Sequence, residues 1–225
     1  DGLTNDARLT IDTLRSTANA GGVLLNYCRM GTARKQSDGW HCMIQDRIGN
    51  KEREIVANCV INATGPWAEQ FQQSSVKLRV TKGIHIVVDR QRLPVPDAVV
   101  MTEGPRILFA IPWEERVIVG TTDTDYNGSL EDVRSDSEDV AYVIGVANEA
   151  FPEARLNRDD IISHWAGLRP LIADPNGRPS DISRSHEIRQ TEPGWIDVAG
   201  GKLTTYRLMA EQTVDLVEKC LGRRH

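Results

Sequence analysis

The 225-residue chain carries 27 Lys plus Arg against 32 Asp plus Glu, a formal charge of −5. A hydrophobic fraction of 40%, close to half once the 18 glycines are added, with 26% charged residues, is that of a globular chain and excludes wholesale disorder. No run approaches the roughly 18 apolar residues of a membrane-spanning helix, and a net acidic chain without a dense Lys/Arg block argues against a nucleic-acid partner.

The chain begins at Asp1, without a methionine, a basic n-region or an apolar h-region. It therefore reads as a processed chain or an internal piece of a longer one. Residues 7–20 are predicted as a helix with Leu9, Ile11 and Leu14 apolar and Asn5 or Asp6 as cap, stopped by Gly21-Gly22. Val23, Leu24 and Leu25 follow as a short buried strand. Residues 31–39 read as a polar connection, and 40–47 and 54–56 as two antiparallel strands turning near Gly49-Asn50. The apolar, β-branched stretch 57–62 suits a strand buried on both faces. It runs into Ala63-Thr64-Gly65-Pro66-Trp67, where a helix should start near Pro66. A buried strand opening through small residues into a helix is the ligand-binding corner of open α/β sheets.

The texture then changes. Strand-like runs at 78–80, 84–88, 98–101, 107–111 and 117–119, separated by Pro- and Gly-containing turns, predict an antiparallel sheet. Residues 135–150 are an amphipathic helix that Ser135 or Ser137 can cap. Strands are expected at 161–168, 183–188 and 194–198, the last ending at Gly200-Gly201 before a helix over 203–221. The fold class is thus mixed α/β, with an antiparallel-sheet domain inserted into an α/β one. The three segments are 1–75, 76–192 and 193–225.

Five segments offer chemistry, each with an ordinary structural alternative. Residues 62–67 either expose backbone N–H groups to a cofactor or form a plain strand-to-helix turn. The stretch Gly200-Gly201-Lys202-Leu203-Thr204-Thr205-Tyr206-Arg207 suits an anion or an electron-rich ring, or is a capped helix start; it is not a P-loop. Arg169, at a strand end before Pro170, either clamps a phosphate or carboxylate or makes a surface ion pair. His85, inside an apolar run, is a base or a satisfied core histidine. Residues 120–125 hold a cation or form a hydrogen-bonded turn. The histidines have no metal spacing, and no metal is expected. Cys28, Cys42, Cys59 and Cys220 form no CxxC pair and read as free buried thiols of a reducing compartment.

In this order and at this spacing, Asp6-Ala7-Arg8-Leu9, residues 60–67, Lys82-Gly83-Ile84-His85-Ile86, Phe109-Ala110-Ile111-Pro112-Trp113, residues 120–126, Gly167-Leu168-Arg169-Pro170-Leu171 and residues 200–207 resemble the FAD-dependent glycerol-3-phosphate dehydrogenases. These belong to the D-amino-acid-oxidase-like flavoprotein superfamily. The resemblance implies a doubly wound FAD domain, incomplete here, with an inserted antiparallel substrate domain. It implies oxidation of sn-glycerol 3-phosphate to dihydroxyacetone phosphate, with hydride leaving C2 for flavin N5 and quinone or oxygen as electron acceptor. A cytoplasmic location follows, with or without contact at the inner face of the membrane.

Carried over residue by residue, the resemblance assigns Arg169 and Arg184 to the substrate. His85 stands near the reacting hydroxyl, and Lys202 lies near both substrate and flavin. Ala63, Thr64, Gly65, Gly200, Gly201, Leu203, Thr204 and Thr205 line the FAD. The strand–GxGxxG–helix that grips the ADP half of FAD is not in this sequence, and neither is a C-terminal helical domain often found in the family. The chain therefore reads as the middle of a longer protein and is expected to bind FAD poorly by itself. The alternatives are another FAD-dependent amine or 2-hydroxy-acid oxidase of the superfamily, or a non-catalytic ligand-binding remnant.

Overall fold

A computed structural model describes residues 4–104, 106–173 and 185–222. In chain order the elements are α1 (Asp6–Asn19), β1 (Cys28–Gln36), β2 (Gly39–Asp46), β3 (Lys51–Ala57), β4 (Val60–Asn62), a 3-10 turn (Gly65–Gln70), β5 (Leu78–Asp89), β6 (Val99–Glu103), β7 (Arg106–Trp113), β8 (Arg116–Gly120), β9 (Thr124–Asp125), α2 (Ser137–Ala150), β10 (Ile161–Ile172), β11 (His186–Glu192), β12 (Trp195–Gly200), a second 3-10 turn (Leu203–Thr205) and α3 (Tyr206–Cys220). Two compact units divide the chain. One comprises Asp1–Asn62, Ile188–Ile196 and Thr204–His225; the other comprises Ala63–Glu187 and Asp197–Leu203.

In the first unit, the Asn5 side chain caps α1 by accepting from the Arg8 N–H at 3.0 Å. Thr10, Thr13 and Thr17 turn their hydroxyls back onto carbonyls four residues earlier. Gly21, at φ 87°, ends the helix. The apolar run that follows is not a strand: Val23 is 83% exposed and takes no place in any of the three sheets. Three apolar residues without a ladder partner gain too little to hold an extended geometry.

β1, β2 and β3 form an antiparallel meander, and the Asp46 carboxylate closes its second turn by accepting from the N–H groups of Ile48 and Gly49. Of residues 31–39, expected as a polar connection, 31–36 belong to β1, an edge strand; only Ala33 of that strand is buried, so its side chains can stay polar. Cys28 lies on that edge and is exposed, unlike the expected buried thiol; Cys42 is buried, and Cys59 and Cys220 are half-buried. Trp40 and Trp195 are fully buried with ring centroids 5.3 Å apart, and the Trp40 indole donates to the Pro193 carbonyl. β4 joins the three-stranded sheet β11–β12–β4. It is shorter than expected and not buried on both faces, since Ile61 points outward between buried Val60 and Asn62.

The second unit is built on β5, a long interior strand of a sheet ordered β10–β5–β8–β7–β6, with β9 pairing the first half of β5. The two runs expected at 78–80 and 84–88 are one strand. Thr81-Lys82-Gly83 does not break it, because all three residues are buried and pair with Arg169, Leu168 and Gly167 of β10. On one face Ile84, Ile86 and Val88 pack with Leu108, Ala110, Val117 and Val119 beneath Val140, Val143, Val146 and Ala147 of α2. Asp136, rather than a serine, caps α2 in a reciprocal box with Asp139. β10 runs past its expected end through Arg169 and Pro170 to Ile172, with Pro170 opposite Val80 at the edge of the sheet. Buried Asp197 accepts from the Ser75 N–H.

Candidate functional site

Strand periodicity sorts the Lys-Gly-x-His segment onto two faces. Lys82 faces α2 and is 8% exposed, with its ammonium bonded to Asp136 at 2.8 Å and Asp139 at 2.5 Å. Burial opposes that charge, but the bonds to Asp136 and Asp139 outweigh it and raise the lysine above its usual range. The same pairing, with the Lys82 hydrogen bond foremost, holds the Asp136 carboxyl at about 2.

Gly83 and His85 lie on the opposite face. The β-ladder aligns Val100, Phe109, Gly120, His85 and Trp165 across five strands on that face. The His85 imidazole stacks on Trp165, centroids 5.1 Å apart and planes within 19°. On its other side it covers bare Gly120, where a Cβ would stand 2.5 Å from the ring. Phe109 and Trp165 remain exposed on this face, so His85 is a half-buried ring in an aromatic setting rather than a core histidine.

Arg169 belongs to the same face, in step with Trp165 and Gly167 along β10. Its guanidinium donates to the Thr121 hydroxyl at 2.8 Å and the Thr122 carbonyl at 3.1 Å, and stands 3.5 Å from the Asp123 carboxylate. It lies over Gly83, where a Cβ would collide with both terminal nitrogens. Arg169 is thus a fixed cation, inside a strand rather than at its end. The segment 120–125 is the turn that fixes it. Nothing in the sequence links Thr121, a member of the 120–125 segment, to Arg169 or Trp165 to His85, because these partners are remote in the chain.

The structure brings His85 and Arg169 onto one face. Lys202 is exposed just beyond β12, on a different sheet. Arg184 lies outside the described residues. At the expected cofactor corner, the helix near Pro66 is a 3-10 turn of six residues, and its Thr64 cap makes no side-chain bond to it. Ala63 and Thr64 are exposed, and Gly65, at φ 61°, has open space where a Cβ would be. Gly200 and Gly201 both take positive φ, and the Gly201 N–H donates to the Ser185 carbonyl. Leu203, Thr204 and Thr205 form the 3-10 turn ahead of α3. Gly65 leaves its backbone uncovered, whereas a Cβ at Gly200 would meet the Ser185 carbonyl oxygen at 2.6 Å; uncovered backbone, the hydroxyls of Thr64, Thr204 and Thr205 and the exposed Lys202 side chain are the group types that suit a large, hydrogen-bonding, anionic cofactor such as FAD. A cavity of about 510 Å³ is lined by Pro66, Glu69 and Gln70 of the Gly65–Gln70 turn together with Arg79, Asp125 and Tyr126 among others, and by none of the residues assigned to substrate or cofactor. Its arginine is already paired with Asp125 through two bonds.

Among the described residues no helix is long and apolar enough to cross a membrane. The profile of the FAD dependent oxidoreductase (DAO) family matches residues 1–216. The chain is 42% identical over 221 residues to an aerobic glycerol-3-phosphate dehydrogenase of Bacillus subtilis (strain 168), covering 95% of this chain and 40% of that protein. It is 39% identical over 229 residues to the protein of the same name from Staphylococcus aureus (strain USA300), covering 98% and 41%. It superposes with a TM-score of 0.86 at 37% identity on the glycerol-3-phosphate dehydrogenase from Bacillus halodurans complexed with FAD, covering 99% of this chain and 44% of that one. The chain therefore spans about two fifths of the length of the curated relatives it matches. With the profile running nearly end to end and the mixed α/β fold agreeing with it, the chain belongs to the DAO family of FAD dependent oxidoreductases.

Proposed function

We propose that this chain supplies the substrate-facing sheet and part of the cofactor-facing backbone of a FAD-dependent oxidation of sn-glycerol 3-phosphate to dihydroxyacetone phosphate. The observation that carries the reading is the fixed guanidinium of Arg169 on the face that bears His85. Identity of 39–42% to relatives named for that reaction supports the same substrate.

A guanidinium held in one plane presents paired donors to a phosphate dianion, and Arg184 supplies the second. His85 takes the C2 hydroxyl proton, its ring oriented by Trp165 and by the bare backbone at Gly120. The Lys202 ammonium offsets charge developing on the substrate oxygen. Ala63, Thr64, Gly65, Gly200, Gly201, Leu203, Thr204 and Thr205 are the residues that would hold the cofactor. Bound FAD would accept the hydride from C2 at its N5. One proton and one hydride leave the alcohol and a ketone remains, so the electrons balance. Segment 76–192 is the substrate domain of this reading, and 1–75 with 193–225 the cofactor part. Quinone or oxygen is its electron acceptor, and its site of action is cytoplasmic, at the membrane or free of it.

The test is thermal unfolding of the chain in the presence of glycerol 3-phosphate, inorganic phosphate or glycerol. A ligand that binds only the folded state raises the midpoint. Glycerol 3-phosphate and phosphate are expected to do so, and glycerol at equal concentration is not. Equal midpoints in all three would overturn the phosphate-directed site and favour an oxidase of unphosphorylated substrates.

A further inference from the structure

Resting on that reading of Arg169, the geometry points to Thr121 and Gly83 as its positioning residues. The turn after β8 is sewn to β5 on both sides of Gly83. The Thr122 hydroxyl accepts from the Ile84 N–H at 3.1 Å, and the Thr124 hydroxyl donates to the Lys82 carbonyl at 3.4 Å. β9 continues the seam by pairing Thr124 with Lys82 and Asp125 with Thr81. Between these stitches the missing side chain of Gly83 leaves a floor for the guanidinium. A Cβ there would collide with both terminal nitrogens of Arg169 and stand 2.6 Å from the Thr121 hydroxyl oxygen.

Thr121 closes the arrangement from the side. Its hydroxyl donates to the Thr122 carbonyl at 3.2 Å and accepts from Arg169 Nη2 at 2.8 Å. The hydroxyl proton is committed by the first bond, so the oxygen can only accept from the arginine. Nη1 donates to the same Thr122 carbonyl at 3.1 Å. Two acceptors on consecutive residues take one donor from each terminal nitrogen, which sets the plane of the guanidinium and not merely its position. A planar, fork-shaped cation gains its advantage over a lysine only when that plane is held. Thr121 and Gly83 therefore act on an anion through Arg169 and need not touch it.

The deciding experiment is the guanidinium 1H–15N spectrum of the labelled 225-residue chain, with the Arg169 signals identified by their loss in Arg169→Lys. Inorganic phosphate is titrated in parallel by calorimetry. Resolved terminal N–H signals, from slow rotation, are expected in the parent. Thr121→Val should collapse them and weaken phosphate by about tenfold, the loss typical of one charge-assisted bond. Thr121→Ser should restore both, and Gly83→Ala should shift the signals. Unchanged Arg169 signals in Thr121→Val would overturn the inference, and so would failure of Thr121→Ser to restore them. If Arg169→Lys binds phosphate as the parent does, the substrate reading of Arg169 falls, while the spectra still decide whether Thr121 positions it.

Discussion

Arg169 sits between contacts of opposite electrostatic sense. The Thr121 hydroxyl and Thr122 carbonyl orient it without neutralising it, whereas the Asp123 carboxylate at 3.5 Å competes for its charge. A carboxylate there compensates the cation when no anion is present and repels an arriving dianion. Asp123→Asn is thus expected to tighten inorganic phosphate severalfold, most clearly at low ionic strength where screening is weak. Calorimetric titration at two salt concentrations checks this; weaker binding would mean that Asp123 orients the arginine instead. Arg169→Ala is expected to abolish the thermal shift given by glycerol 3-phosphate and to cripple turnover of the holoenzyme. Retained turnover in that variant would sink the phosphate-clamp role. Arg169 and His85 were visible in the sequence because their flanking residues form a recognisable pattern. Thr121 was not, because it meets Arg169 from 48 positions away and a threonine in a turn carries no signal of that partner.

At the scale of elements, α2 and β5 are fastened where buried Lys82 meets the first turn of the helix. Asp136 caps the helix and binds Lys82, while Asp139, buried at 6% exposure, returns the cap and binds Lys82 as well. Lys82→Met leaves the Asp139 carboxylate buried without its cation. It is expected to cost about 3–5 kcal/mol in urea unfolding. Asp136→Asn keeps the cap but removes the charge, and its effect should depend on pH. The Asp136 carboxyl titrates at about 2 in the folded protein against an ordinary 3.8. A depressed carboxyl stabilises fully above pH 3.8, and that contribution disappears as pH falls towards 2. The stability difference between parent and Asp136→Asn should accordingly be largest near pH 5 and shrink by pH 2.5. A difference independent of pH would show that the carboxylate charge contributes nothing. Helix positions were legible from apolar periodicity. The cap was misplaced because Ser135, Asp136 and Ser137 are all good caps, and only the contact with Lys82 selects among them.

At the scale of the whole molecule, membership of the family does not by itself give a chain a tight grip on the cofactor. No strand–GxGxxG–helix occurs in these 225 residues, and that unit supplies the backbone N–H groups for the FAD pyrophosphate. The chain is expected to give the visible spectrum of free FAD when mixed with it, before and after anaerobic glycerol 3-phosphate. A stoichiometric yellow preparation, bleached by glycerol 3-phosphate, would instead show that the corner at Gly65 and the Gly200–Gly201 pair suffice to hold a working cofactor. The core of the first unit gives a further prediction. Trp195 is fully buried against Trp40, so Trp195→Ala is expected to destabilise that unit by about 3–5 kcal/mol. Tryptophan fluorescence during unfolding would register it.

Sequence by itself determined the family, the mixed α/β class and most strand positions. Local properties decide all of these: apolar periodicity, turn residues and short motifs whose members lie side by side in the chain. Tertiary structure alone decided that residues 28–36 form an edge strand and that Val23–Leu25 do not form one. An extended segment is stable only if another strand takes up its backbone bonds, and the pairing partner is not written in the segment. Tertiary structure also split Lys82 from Gly83 and His85, sending the lysine to an ion pair under α2 and the other two to the face that carries Arg169. The chain places them next to one another; the alternation of a β-strand separates them, and pairing with β10 and the turn after β8 determines what each then meets.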